Sequence, residues 1–213
     1  METPPLLSTA YLPSVRYMAV MASHNHVVIE QHETFPKQTF RNRAEIVTGN
    51  GTLMLNVPVS RPNGNHTRTE EITISYNEPW NVRHWRAIES AYSAAPYFLY
   101  YKDELEHAIM AKHDRLLELN NEILNFLLQK MKIVCQVDYS EKFTPYNENS
   151  WDFRISLTTK KQHCGEEFPP YSQVFDSRYG FKPNLSAIDL LFNLGPEARP
   201  YLLKLPERQP IWT

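Results

Sequence analysis

The stretch KQTFRNRAEI places Lys37, Arg41 and Arg43 within seven residues, with Asn42 between the two arginines. A guanidinium fork pairs two-pronged with a carboxylate or phosphate, and a lysine adds a point charge, so this mixture suits a phosphorylated or carboxylated ligand. Asn42 adds an amide donor. The plainer reading is a solvated basic loop or a structural salt bridge. Just upstream, HVVIEQH alternates, so an extended chain puts His26, Glu30 and His32 on one side, with Glu30 and His32 about 7 Å apart by strand rise. Glu30 or His32 can serve as a general base. Two imidazoles and a carboxylate can also form a polar layer. No HExxH-type signature accompanies them, and we expect neither metal nor cofactor.

A third carboxylate, Asp189 in NLSAIDLLFN, lies beside an apolar stripe of Leu185, Ile188, Leu191 and Phe192. A carboxylate in such company is either paired or functional. An arginine of the basic stretch would be a natural partner. Cys135 sits in the apolar KIVCQV and reads as an inert thiol. Cys164 in KKQHCGEE is more polar and is the less improbable nucleophile. GxGxxG, GxxxxGK[ST] and GxSxG are all absent, which removes the common nucleotide-binding and hydrolase signatures.

The elements that must hold these groups follow from periodicity. LLSTAYL reads as a strand ending before Pro13, and Ser14 opens a helix with Val15, Met18 and Met21 on one side. HVVIEQH returns as a strand, which makes a strand-helix-strand unit with parallel pairing. RAEIVT and TLMLNVPVS flank Gly49-Asn50-Gly51 as a hairpin, with Leu53, Leu55, Val57 and Val59 on one side, and Pro58 ends the pairing or confines it to an edge. EITISY alternates as a further strand. From Pro79 the period becomes helical, through PWNVRHWRAIESAYS and YYKDELEHAIMAK to a stripe of Leu116, Leu119, Ile123, Leu127 and Met131. Residues 136–171 are polar and punctuated, with strand pieces expected near 153–158. A last helix begins near Ser186 and closes at Gly195-Pro196. The expected architecture is α/β (or α+β): one mixed sheet with an N-terminal strand-helix-strand unit, a hairpin, and a helical middle and C-terminus, in one domain over 1–213.

The chain has 213 residues, a net charge of −2 and two cysteines. Such a charge balance gives no footprint for nucleic acid, so anion recognition must be local. The unpaired cysteines and the lack of a basic leader or an 18-residue apolar run imply a cytoplasmic protein with no membrane insertion. Nothing in the sequence fixes an oligomeric state.

Read together, YLPSVRYMAVM, VVIEQHETFPKQTFRNRAEI, LMLNVPV, EITISYNEPWNVRHWRAIESAYSAAPYF, YSQVF and GFKPNLSAIDLLFNLGPEA resemble, in order and spacing, the WbqC-like protein family. Where the family usually has Gln-Pro before the YLP element, this chain has Ser8-Thr9-Ala10, and Glu30 stands where an Asp is common. The resemblance implies a cytoplasmic protein of bacterial surface-polysaccharide (O-antigen-type) clusters. It would act by acyl or amino-acyl transfer onto an activated sugar such as a nucleotide sugar, or serve as a non-catalytic accessory protein. It carries Tyr11, Pro13, Glu30, Lys37, Asn42, Arg43, Trp85, Tyr92, Tyr171, Gln173 and Asp189 over as motif positions. With Arg41 from the basic stretch, the expected ligand-binding set is Tyr11, Lys37, Arg41, Asn42, Arg43, Trp85, Tyr92, Tyr171 and Gln173. Glu30, His32 and Asp189 are the expected catalytic set.

Overall fold

A computed structural model describes residues 3–36, 39–146, 151–155, 157 and 168–205. The chain opens with β1 (Leu6–Ser8), α1 (Val15–Ser23) and β2 (His26–Glu30). β1 and β2 pair in parallel, Leu6 opposite Val28 and Ser8 opposite Glu30. The crossover helix starts where its cap predicts: the Ser14 side chain accepts the Tyr17 amide. Met18, Met21 and Val15 are fully buried, as their spacing requires.

The third strand of this sheet comes from much later in the chain. β7 (Gln136–Tyr139) runs parallel to β2 on its other edge. Beyond β1, Leu6 exchanges backbone hydrogen bonds with the 151–153 segment, donating to the Trp151 carbonyl and accepting from the Phe153 amide, both at 2.8 Å. Among the described residues, the two contributions from 136–171 to this sheet are short and flank the N-terminal unit. Of the piece expected near 153–158, residues 156 and 158 lie outside the described residues; among the rest, the pairing is the bridge of Asp152 with Leu6 just before it, and the chain turns at Arg154.

The hairpin forms as read, with β3 (Arg43–Thr48) antiparallel to β4 (Gly51–Asn56). Its positive φ falls on Gly51 (+99°), the pattern of a type I turn closed by a glycine bulge. The expected single mixed sheet does not form, although the α/β class holds. Among the described residues the strands divide into three sheets: β1-β2-β7, β3-β4, and a two-residue pair of β5 (Val59–Ser60) with β6 (Thr73–Ile74). Pro58 interrupts the outgoing strand after Asn56, and the hairpin packs on a helix instead of extending the parallel sheet. EITISY contributes only Thr73–Ile74, since Thr69–Glu71 coil into a 3-10 turn.

The helical middle comprises α2 (Trp80–Tyr92), α3 (Phe98–Met110) and α4 (Leu116–Lys130), each packed on the next. The stripe on α4 is buried throughout. After the short α5 (Asp176–Tyr179), α6 (Ala187–Leu194) and α7 (Ala198–Lys204) close the fold. Gly195 ends α6 at φ +53°, and a Cβ there would sit 2.5 Å from the Tyr97 ring, so both backbone and space demand glycine.

The first and last motifs lock together. The Val15 amide donates to the Leu185 carbonyl and the Ala187 amide to the Pro13 carbonyl, at 2.9 and 2.7 Å. Leu12 and Asn184 adopt positive φ at this junction, and Asn184 Oδ1 accepts the Arg16 amide. YLPS and NLSAID, far apart in sequence, are thus hydrogen-bonded to each other in the fold.

Candidate functional site

Because strand side chains alternate, Leu6 and Ser8 of β1 share a sheet face with Val28 and Glu30 of β2. Leu7, Val27 and Ile29 point the other way into the core. The parallel strands all end on one side, and in open parallel sheets ligands gather at that carboxyl edge. Here the edge carries a buried network of charge.

Glu30 ends β2 with both oxygens engaged. Oε1 accepts from Ser140 Oγ at 2.7 Å and from the His32 amide at 2.8 Å, and Oε2 accepts from the Thr144 amide at 2.9 Å. The Arg154 guanidinium stands 3.6 Å from Oε2. Arg154 itself forks onto Asp152: Nε donates to Oδ1 at 2.9 Å and a terminal nitrogen donates to Oδ2. Its other terminal nitrogen donates to the Thr144 carbonyl. Burial opposes the charge on Arg154, but the bonded Asp152, with Glu33 behind it, outweighs that and raises the guanidinium pKa.

A second pair lies beside the first. Arg41 Nε donates to Glu33 Oε1 at 2.9 Å, and the same guanidinium reaches the Ser8 hydroxyl. Tyr146 links the pairs, its hydroxyl donating to Glu33 and its ring facing Arg154 with the guanidinium carbon 4.2 Å from the centroid. Glu30, Glu33, Arg41, Asp152 and Arg154 are each at most 3% exposed. Charges so deeply buried persist only when paired and hydrogen-bonded, which this network achieves. Asn120 braces it from α4 by donating to Thr9 Oγ1 and to the Arg41 carbonyl. Thus Ser8 and Thr9 both enter the network.

The expected site residues fall into four places. Glu30 and Arg41 belong to the network just described. Asn42 and Arg43 sit at the hairpin: Asn42 Nδ2 donates to the Val57 carbonyl at 2.9 Å, and Arg43 Nε donates to Asn56 Oδ1 at 3.1 Å. Arg41 bonds Glu33 and Ser8 whereas Arg43 bonds Asn56, so the two arginines share no hydrogen-bond partner among the described residues. Lys37 and Cys164 lie outside the described residues. His26, Glu30 and His32 do not converge. His26 pairs with Asp138 and His32 Nδ1 with Glu70, each at 2.9 Å. Among the described residues no group of three or more His, Cys, Asp or Glu is arranged to hold a metal.

Tyr11 forms a third place. Its hydroxyl lies 2.9 Å from His84 Nδ1, and His84 Nε2 accepts the Asn56 amide. An accepting Nε2 puts the neutral ring's proton on Nδ1, so His84 is the donor to Tyr11. Burial, aided by the nearby Arg83, pushes the imidazole pKa down to about 4. Trp85 is core, stacked on Phe98.

Asp189, Tyr171 and Gln173 make the fourth place, which the motifs YSQVF and NLSAID predict without geometry. Gln173 Nε2 donates to Asp189 Oδ1 at 2.9 Å, Tyr171 donates to the same oxygen at 3.3 Å, and Asn193 donates to Oδ2. Every one of these partners is neutral, in place of the expected arginine. Burial raises the Asp189 pKa to about 7 against the pull of those donors. Tyr92 lies in the same field: burial first, and Asp189 second, drive its hydroxyl pKa well above normal. Asp189 and Glu30 share no hydrogen-bond partner among the described residues.

Sequence reasoning missed Glu33, Asp152, Arg154 and Ser140. The signal for Asp152 and Arg154 is present in WDFR, where an extended chain puts acid and base on one side two residues apart. Half-buried Cys135 has its thiol pKa raised to about 11 by burial, as expected of an inert thiol. No helix among the described residues is long and apolar enough to cross a membrane.

Over 92% of its length the chain is 26% identical to the uncharacterized protein Rv1507c of Mycobacterium tuberculosis (strain ATCC 25618 / H37Rv), 96% of which is covered. No solved structure matches it. The profile of the WbqC-like protein family matches residues 9–167, most of the chain and every acid and arginine of the Glu30 network, and the protein therefore belongs to that family.

Proposed function

We propose that this protein is a cytoplasmic group-transfer enzyme of surface-polysaccharide assembly, acting by acyl or amino-acyl transfer on an activated sugar. One observation carries the reading: a satisfied, water-excluded charge network built around Glu30 at the carboxyl edge of a parallel sheet. In the step we envisage, an amine or hydroxyl of the sugar attacks the donor's acyl carbon. A C–N or C–O bond forms there while the bond to the donor's leaving group breaks. The proton passes from the nucleophile to Glu30 or His32, and from there to the leaving group. Arg43, half-buried and held by a single amide oxygen, and Lys37 supply the charge that meets a phosphate. Arg41 acts through Glu33, and Asp189 with Tyr171 and Gln173 supports the fold behind the site.

A second reading, a non-catalytic binding protein for the same pathway, is favoured by a specific feature. Both Glu30 oxygens already accept protein hydrogen bonds, which suits a positioning role. A thermal-shift screen over nucleotide sugars, acyl-CoA donors and amino acids, followed by turnover assays on the ligands found, separates the two. The transferase reading expects a nucleotide sugar to stabilise the protein, loss of that shift in Arg43→Ala, and product with a matching donor. Ligand binding without turnover by any donor supports the binding protein, and binding that Arg43→Ala leaves intact overturns the anion role of Arg43.

A further inference from the structure

The face of the parallel sheet that carries Glu30 is only partly covered. Parallel sheets are ordinarily buried on both faces, and here Leu7, Val27 and Ile29 are buried in the core while Leu6 and Val28 on the opposite face remain half-open. Over them lies a cleft of about 550 Å³, walled by Tyr146 and Trp151 and edged by Thr144 and Asp152. That volume is within the range of small-molecule sites. Leu6 and Val28 precede Ser8 and Glu30 by two residues on the same face, so the floor of the cleft runs directly into the charge network.

The chemistry of the cleft selects its occupant. Its floor is aliphatic, two walls are aromatic, and its rim carries Thr144 beside the Asp152 carboxylate already forked by Arg154. Beneath it, among the described residues, Glu30, Glu33 and Asp152 stand against Arg41 and Arg154, three carboxylates to two guanidiniums. Both guanidiniums are already committed: Arg154 bonds Asp152 and the Thr144 carbonyl, and Arg41 bonds Glu33 and Ser8. Among the described residues, a phosphate or pyrophosphate entering here would meet an excess of carboxylate and no uncommitted guanidinium. An uncharged ring with an apolar face would stack on the aromatic walls over the aliphatic floor, with the exposed Thr144 at the rim as its polar neighbour.

The geometry points to this cleft as the subsite for the neutral ring of the ligand, a sugar or a nucleobase, with the ligand's phosphate excluded from it. The inference rests on the proposed function, which supplies a ligand with both a ring and a charged group.

Saturation-transfer NMR on the full chain tests this, with methyl glycosides, uridine and inorganic pyrophosphate as separate probes. At least one ring probe should show saturable transfer that pyrophosphate does not displace. Trp151→Ala and Tyr146→Ala should each weaken it at least tenfold, with far-UV circular dichroism unchanged. Tyr146 is 46% exposed, so its replacement carries the test if the tryptophan variant does not fold. Glycoside binding identifies a sugar subsite, and uridine binding a base subsite. Displacement by pyrophosphate, ring binding indifferent to both variants, or no ring binding overturns the inference. The two proposals fail separately. A nucleotide sugar that stabilises both variants as well as wild type leaves the proposed function standing without this subsite. Ring binding that both variants lose, without turnover by any donor, leaves the subsite without the transferase.

Discussion

Two buried carboxylates mark the ends of the range this fold allows. Glu30 belongs to a network in which three acids share two guanidiniums. Asp189 receives only the amide and hydroxyl donors of Gln173, Tyr171 and Asn193. The difference is one of compensation. In the first region the desolvation cost of the acids is offset by opposite charge held in fork geometry. In the second, dipoles offset only part of it, and burial lifts Asp189 to about 7, so its proton stays on through mildly acid pH. A network with fixed charge suits ligand polarisation, whereas a nearly neutral acid suits a packed junction between the last motif and the core.

Breaking the first region should have the largest effect. Arg154→Ala leaves Asp152 buried without its fork and Glu30 without its nearest cation, and should cost about 3–5 kcal/mol in urea unfolding. A loss below about 1 kcal/mol would mean that the acids are solvated in solution, and the contrast with Asp189 would collapse.

The second region should show itself through pH. Asp189 binds its proton more tightly folded than unfolded, from an ordinary 3.8 to about 7. The native state therefore holds the extra proton between those values, and stability from this group is complete below pH 3.8 and lost as pH rises through 7. Three units correspond to on the order of 4 kcal/mol. Asp189→Asn should remove that slope and be at least as stable as wild type at pH 8. A variant with the wild-type slope would assign the titration elsewhere.

His84 sharpens the contrast because its sign is opposite. Its folded pKa is depressed from 6.5 to about 4, so its contribution is present above 6.5 and lost as pH falls toward 4, roughly 3 kcal/mol in all. Between pH 4 and 6.5 the two groups oppose each other, and wild type should look flatter than either single variant. In Asp189→Asn the acid loss due to His84 should stand unmasked; a flat profile there would remove His84 from the account. The smallest effect is expected at Arg43→Ala, within about 1 kcal/mol of wild type in unfolding, since Arg43 makes one partly exposed hydrogen bond.

Locally coded features were legible beforehand. Ser14 caps α1, the Gly49–Gly51 turn closes its hairpin, and the Leu116-to-Met131 stripe faces inward, because each depends on neighbours within one turn or one pleat. What escaped was set by distant pairing. QVDY carries no strong strand pattern of its own and becomes β7 because β2 offers a free parallel edge. The partition into three sheets depends on Pro58 and on where the hairpin finds a helix to cover it. Glu30 stood out from its place on an alternating strand, but the contacts that join the two ion pairs, Arg154 to Glu30 and Tyr146 to Glu33, bridge more than a hundred positions. The triad of Asp189, Tyr171 and Gln173 was visible as motif positions, while its neutral character was not, since no sequence pattern states which partner a buried acid will find.

The central claim is that ligand recognition belongs to the Glu30 edge and not to the Asp189 junction. The direct measurement is the ligand-induced shift in melting temperature, taken for whichever nucleotide sugar or donor stabilises wild type, in Glu30→Gln and Asp189→Asn, each against its own unliganded baseline. The account predicts that Glu30→Gln abolishes the shift and Asp189→Asn keeps it. A shift retained in Glu30→Gln and lost in Asp189→Asn would contradict it.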